Sequence, residues 1–268
     1  MRNDFLKIAR GVMVVVMVAL IGASCEMHLS VAGILVRPMR VTTLADLNPQ
    51  MREIHIQNTG KQVEYINVTL KEVLHPGTPN VQDIPFVHQN PYAFGIAAAP
   101  SKLILQPGEH VVVRLVNLVK STPTDRIYYV TFTPAIPAIE PVQGQTMGVH
   151  AGLTVVTAYG VLVIIRPVTP HPQLQVMLKD HVVRVHNEGN TTVVTLGLWG
   201  CPQMGDALPL CARIANSAHL VYPGTGFQVN LPENLSIAQV QLEQEILGNY
   251  TLVSSDKNLK SENSHANS

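Results

Sequence analysis

The stretch from Leu153 to Pro167, LTVVTAYGVLVIIRP, constrains the fold of this 268-residue chain more than any other. It is rich in β-branched residues, which are stiff at χ1 and favour strands over helices. It lacks the alternation of a strand with one wet face, so it needs cover on both faces, as in the interior of a layered β structure. The run closes on Arg166-Pro167, and Pro167, Pro170 and Pro172 stand close together after it. That proline cluster reads as a linker between two structural units.

Strand signals recur on either side of the linker. REIHIQNTG, Arg52–Gly60, alternates Ile54 and Ile56 with polar residues and ends on turn-forming Asn-Thr-Gly. KQVEYINVTLKEV, Lys61–Val73, and DRIYYVTFTPA, Asp125–Ala135, carry the β-branched and aromatic residues of strands. In KLILQPGEHVVVRLVNL, Lys102–Leu118, Pro107-Gly108 fits the centre of a type II turn between two β-rich runs, which predicts a hairpin. LQVMLKD, HVVRVHNEG and TTVVTLGLWG continue the pattern after the linker. No segment shows a long amphipathic helical period. The regular spacing predicts an all-β chain of two β-sandwich domains, residues 27–167 and 168–254, with a single larger jelly-roll-like sandwich as the alternative. Residues 255–268 are small and polar, the composition of a disordered tail.

The N-terminus speaks to the compartment. Arg2, Lys7 and Arg10 precede an uncharged apolar run, Gly11–Ala23, with small residues after it. This is the pattern of a secretory signal peptide over residues 1–25, cut near Ser24–Glu26. An uncut membrane anchor and a lipid on Cys25 are the alternatives. In an exporting compartment disulfides persist. Cys201 and Cys211 have no second cysteine pair, no flanking histidine and no CxxC spacing, so they read as a structural clamp rather than metal ligands, with a redox pair as the lesser reading. Such a clamp would contribute on the order of 2–3 kcal/mol.

Charge and motifs exclude more than they assign. Lys and Arg number 18 and so do Asp and Glu. With no basic stripe there is no case for nucleic acid. Only 13% of residues are charged, which leaves apolar surface for a partner. There is no GxSxG, no HExxH and no glycine-rich phosphate loop. The 11 histidines are scattered: His181 and His186 fall in one predicted strand region on opposite faces, and turn or proline-rich segments separate His55, His75 and His88. The expectation is a protein that is not an enzyme and holds no cofactor and no metal.

Four segments carry a resemblance. VRPMRVTTL, Val36–Leu44, places an arginine before β-branched residues in a first edge strand. LQPGEHVVVRL, Leu105–Leu115, sets Leu, Pro-Gly and Arg-Leu at characteristic spacing. DRIYYVTFTPAIP, Asp125–Pro137, sets Asp-Arg before an aromatic strand. YGVLVIIRP, Tyr159–Pro167, ends a strand on Arg-Pro. In this order they resemble the periplasmic chaperones of the chaperone–usher pathway, over about residues 30–230. NEGNTTVVTLGLWGC with Cys211 resembles the alternate, common-pilus branch of that family.

The resemblance implies two immunoglobulin-like β-sandwich domains in an L-shaped arrangement, in the periplasm, with pilus subunits and an outer-membrane usher as partners and self-association when free. It implies that the chain from Leu153 to Val161 is lent to a subunit whose own sandwich lacks a strand. The donated side chains would be Leu153, Val155 and Thr157, with Tyr159 as a fourth. Three or four such side chains at ~1.5–3 kcal/mol each suffice for tight capture before ordering costs. It further implies that Arg40 binds the terminal carboxylate of the captured chain. The family's second cation would stand four residues before Arg166, where this chain has Leu162. Arg37 or another cation substitutes for it, Arg40 acts without it, or the carboxylate is held differently. A structural immunoglobulin-like surface protein, either a pilus subunit, an adhesin or a lipid-tethered module, is the alternative reading.

Overall fold

A computed structural model describes residues 33–87, 90–135, 157–201, 212–215, 219–233, 237–242 and 251–254, all within one compact unit beginning at Gly33. The first ten strands in chain order are β1 Ile34–Arg37, β2 Arg40–Leu44, β3 Gln50–Asn58, β4 Glu64–Leu74, β5 Gln82–Pro85, β6 Ile96–Ala99, β7 Lys102–Leu105, β8 His110–Asn117, β9 Arg126–Pro134 and β10 Tyr159–Arg166. One short helix, α1 Pro91–Phe94, lies between β5 and β6. After the linker come β11 Leu174–Lys179, β12 Val182–Asn187, β13 Val193–Cys201, β14 Ala212–Ala215, β15 His219–Val221, β16 Gly226–Asn230, β17 Ile237–Leu242 and β18 Thr251–Ser254.

The strands make two immunoglobulin-like sandwiches. In the first, a sheet in the order β1-β3-β8-β6 faces a sheet in the order β2-β10-β9-β4-β5, with β7 also on β4. In the second, β11-β12-β16 faces β14-β13-β17-β18, with β15 on β13. The alternation expected for β3 and β4 is present. Ile54 and Ile56 on β3, and Ile66, Val68 and Leu70 on β4, point into one apolar core with Val113, Leu115, Phe132, Val161 and Val163. Leu174, Val176, Val183, Val185, Val193 and Leu198 build the second core.

Three expectations need correction. Pro107-Gly108 does form a turn, closed by the Glu109 N–H on the Gln106 carbonyl at 2.9 Å, and Gly108 has φ +79°. Yet Lys102–Leu118 is no hairpin: β7 pairs with β4 and β8 pairs with β3 and β6. A type II turn splays the flanking strands instead of matching their right-handed twist, so here it carries the chain from one sheet to the other. Second, VRPMRVTTL is two strands. Pro38 has no N–H for a ladder, and β1 pairs with β3 in one sheet while β2 pairs with β10 in the other. Third, His181 is not in a strand. Asp180 and His181 form the two-residue loop between β11 and β12, with φ +51° and +59°, and positive φ at both positions is what a tight twisted hairpin demands.

Asp125-Arg126 opens β9 and secures both of its surroundings. The Arg126 guanidinium donates to both Glu72 carboxylate oxygens, at 2.8 and 2.9 Å, and to the Phe94 carbonyl at 2.8 Å, which also accepts from the Tyr128 hydroxyl at 2.8 Å. Gly95, with φ +100°, follows α1, and a Cβ there would meet the Tyr128 hydroxyl oxygen at 2.5 Å. Asp125 reaches the second sandwich instead: its N–H donates to the Asn190 carbonyl at 3.2 Å, and its carboxylate accepts from the Thr192 N–H at 2.5 Å. Burial outweighs those bonds and pushes the Asp125 carboxyl above its ordinary range.

Candidate functional site

Strand β10 is central to everything the resemblance implies, and its two ends differ. Val161, Val163 and Ile165 point into the first core. Leu162 and Ile164 point the other way, into a smaller apolar cluster with Val73 and Ile127, on which Tyr129, Leu220 and Tyr222 also pack. Leu220 and Tyr222 belong to the second sandwich. That is why Leu162–Ile165 has no polar face: each side of the sheet is covered by a different core. Burial, with Tyr129 nearby, pushes the Tyr222 hydroxyl up to about 12.

Backbone pairing also changes along β10. It pairs with β9 from Tyr159 to Ile165, but with β2 only from Leu162 to Arg166. The Leu162 N–H donates to the Met39 carbonyl at 3.0 Å. Among the described residues, Tyr159, Gly160 and Val161 therefore have a strand on one side only. An unpaired edge is a template for another chain's strand. Tyr159 is half-buried against the first core and Thr157 is exposed, outside the strand. Leu153 and Val155 lie outside the described residues.

The register places Arg40 beside Leu162. A single transverse row runs Arg40, Leu162, Tyr129, Lys71 over β2, β10, β9 and β4. All four residues lie on the face away from the first core. The next row is Thr42, Ile164, Ile127, Val73, and Leu162 and Tyr129 of the first row join Ile164, Ile127 and Val73 of this one in the inter-sandwich cluster. Neighbouring strands are about 4.8 Å apart, so the two cations are separated by about 14 Å at the backbone. Lys71 donates to Asp83 at 2.6 Å and its Nζ stands 5.2 Å from the centre of the Tyr129 ring. The gap left by Leu162 is thus filled by an apolar and an aromatic side chain, with a lysine at the far end of the row. Sequence reasoning missed Lys71 and Tyr129, because only the pairing of β4 with β9 brings them into line with Arg40. Arg37 is exposed on β1, in the other sheet.

Cys201 ends β13 opposite Ile237. Its side chain and all of Cys211 lie outside the described residues, as do residues 1–25, Cys25 and the tail 255–268. No group of three or more His, Cys, Asp or Glu is arranged for a metal ion among the described residues. None of the described helices is long and apolar enough to cross a membrane.

Comparison with known proteins agrees with this fold. The family model described as the CS5 fimbrial protein N-terminal domain matches residues 42–165. A relative from Escherichia coli, one of the CS1 fimbrial subunits, is 25% identical over 182 residues, 68% of this chain and 74% of that one. Among solved structures, the class 5 fimbriae chaperone CfaA superposes with a TM-score of 0.60 at 20% identity, covering 83% of this chain and 98% of that one. The Salmonella enterica SafA pilin in complex with the SafB chaperone contains a chain that matches with a TM-score of 0.56 at 13% identity, covering 83% of this chain and 96% of that one. The chain has the two-domain fold of the chaperone–usher pilus chaperones.

Proposed function

We propose that this protein is a periplasmic, non-enzymatic chaperone that holds pilus subunits by lending them the strand leading into β10, and passes them to an outer-membrane usher. The observation that carries the reading is the half-open edge of β10. Its C-terminal part is held between β9 and β2, while among the described residues Tyr159–Val161 pairs with β9 and with no second strand. A sandwich lacking one strand can add itself along such an edge, backbone to backbone, and take the side chains before Tyr159 into its groove. Leu153, Val155 and Thr157 are the donated residues in this reading.

Arg40 is one rung beyond the open segment, beside Leu162. A captured chain paired along Tyr159–Val161 ends near it, and the guanidinium binds the terminal carboxylate by a charge-assisted hydrogen bond. Lys71 serves as the second, outlying cation of the row. Its ring contact with Tyr129 and its bond to Asp83 hold it on this face.

Recovery of the tagged protein from the periplasm of its own host tests the proposal. The expected result is a stoichiometric β-rich polypeptide that copurifies with the wild type and is lost with Val155→Asp, while the variant keeps the wild-type melting temperature. Recovery without such a partner would remove the chaperone reading. A second reading, a structural component of the fimbria itself, is favoured by the likeness to a CS1 fimbrial subunit and to the CS5 fimbrial protein N-terminal domain. It predicts the chain itself within isolated surface fibres.

A further inference from the structure

The outer face of the other sheet brings two histidines together. His55 lies on β3 and His110 starts β8, diagonal neighbours in the antiparallel pair, where Gln57 faces His110 and His55 faces Val112. Nδ1 of His55 and Nε2 of His110 are 3.1 Å apart, and the rings stack at 19° with centroids 5.1 Å apart. One ring N–H fills that gap in the free protein, donated to the other ring's lone pair.

We propose that this pair is a binding site for one divalent transition-metal ion of the imidazole-preferring class, copper or zinc. Two nitrogens that each stand about 2.0–2.1 Å from one ion are separated by about 2.9–3.4 Å, from square to tetrahedral geometry. The observed 3.1 Å falls in that interval. An ion can therefore replace the shared proton with no backbone movement, after a turn of two half-exposed rings that brings both lone pairs onto it. A second, independent feature concerns the tautomer. Glu53 Oε2 lies 4.0 Å from Nε2 of His55, the nitrogen that does not face His110. That distance is too long for a hydrogen bond, but a carboxylate on this side favours the proton on Nε2 and leaves the Nδ1 lone pair for the ion.

The surroundings set the strength. Arg37 stands across from His55 on β1, and Arg114 across from Glu53 on β8. These cations oppose a dication, and water completes its coordination, so the site is weaker than a three-residue one. Copper binds more tightly than zinc, following the general order for nitrogen ligands.

The test is calorimetric titration of the untagged full chain with Zn²⁺ and with Cu²⁺ at pH 7.5, together with NMR of the histidine side chains. The expected result is one ion per chain, with His55 and His110 as the perturbed signals. His55→Ala and His110→Ala should each abolish it without changing the melting temperature, and Glu53→Gln should weaken it by about tenfold. Absence of a saturable site in the wild type, or wild-type binding in the His55→Ala, His110→Ala double variant, would overturn the proposal. Capture of a pilin by the β10 edge does not enter either outcome.

Discussion

The two ends of β10 share a strand and differ in almost every physical respect. From Leu162 to Ile165 the backbone is paired on both sides and the side chains enter two cores, one within the first sandwich and one between the sandwiches. Among the described residues, Tyr159 and Gly160 are paired on one side only, and both are partly buried. In the proposed chaperone role the closed end would anchor the strand that the open end lends, the holding being done by the same strand a few residues on.

That contrast can be broken by substitution. Ile164→Ala removes a fully buried side chain from the closed end and should cost about 2–5 kcal/mol, read as a lower denaturant midpoint. Val155→Asp, ahead of the open end, should leave that midpoint unchanged and abolish pilin capture; if it unfolds the protein instead, the segment is ordinary core. Arg40→Ala should weaken capture by roughly ten- to a hundredfold, the scale of a lost charge-assisted hydrogen bond of about 1.5–3 kcal/mol. A pilin with an amidated C-terminus should be indifferent to that change, and equal loss with both forms of the pilin would place Arg40 in another role. Lys71→Gln should give a smaller, salt-sensitive loss of affinity, because the residue is at the outer end of the row; an unchanged salt slope would remove it from the site.

The smallest expected effect is on pH. The Asp125 carboxyl sits above its ordinary value because of burial. A raised value favours the protonated form in the folded state, so this contribution to stability is fully present below the ordinary carboxylate value and is lost as pH rises through the raised one. Asp125→Asn should flatten the melting temperature between those two values and leave the fold intact. A profile that matches the wild type would show that Asp125 does not control the junction between the sandwiches.

Much of the fold was legible locally. Alternation identified β3, the apolar run identified β10 and its need for cover on both faces, and the proline cluster identified the passage between sandwiches. What was not legible depended on pairing. Pro107-Gly108 was read correctly as a turn and wrongly as a hairpin, because a turn's residues fix its dihedral angles but not which sheet the next strand joins. Pro38 marked a break, yet nothing near it says that β1 and β2 lie in opposite sheets. His181 sits at positive φ, where a histidine is uncommon, and periodicity alone placed it in a strand.

For the site, the sequence supplied Arg40 and the absence of a cation at Leu162. It could not supply the row that joins Arg40 to Tyr129 and Lys71, nor the His55–His110 pair 55 residues apart, because both arise from cross-strand register. The amino-acid sequence by itself determined the strand class, through β-branched residues that lose less freedom in an extended chain, and the breaks, through proline and glycine. Only the tertiary structure decided which strands became neighbours. That choice is made by burying several apolar faces at once, so the open edge of β10 and the residues beside it are properties of the assembled sandwich and of no single segment.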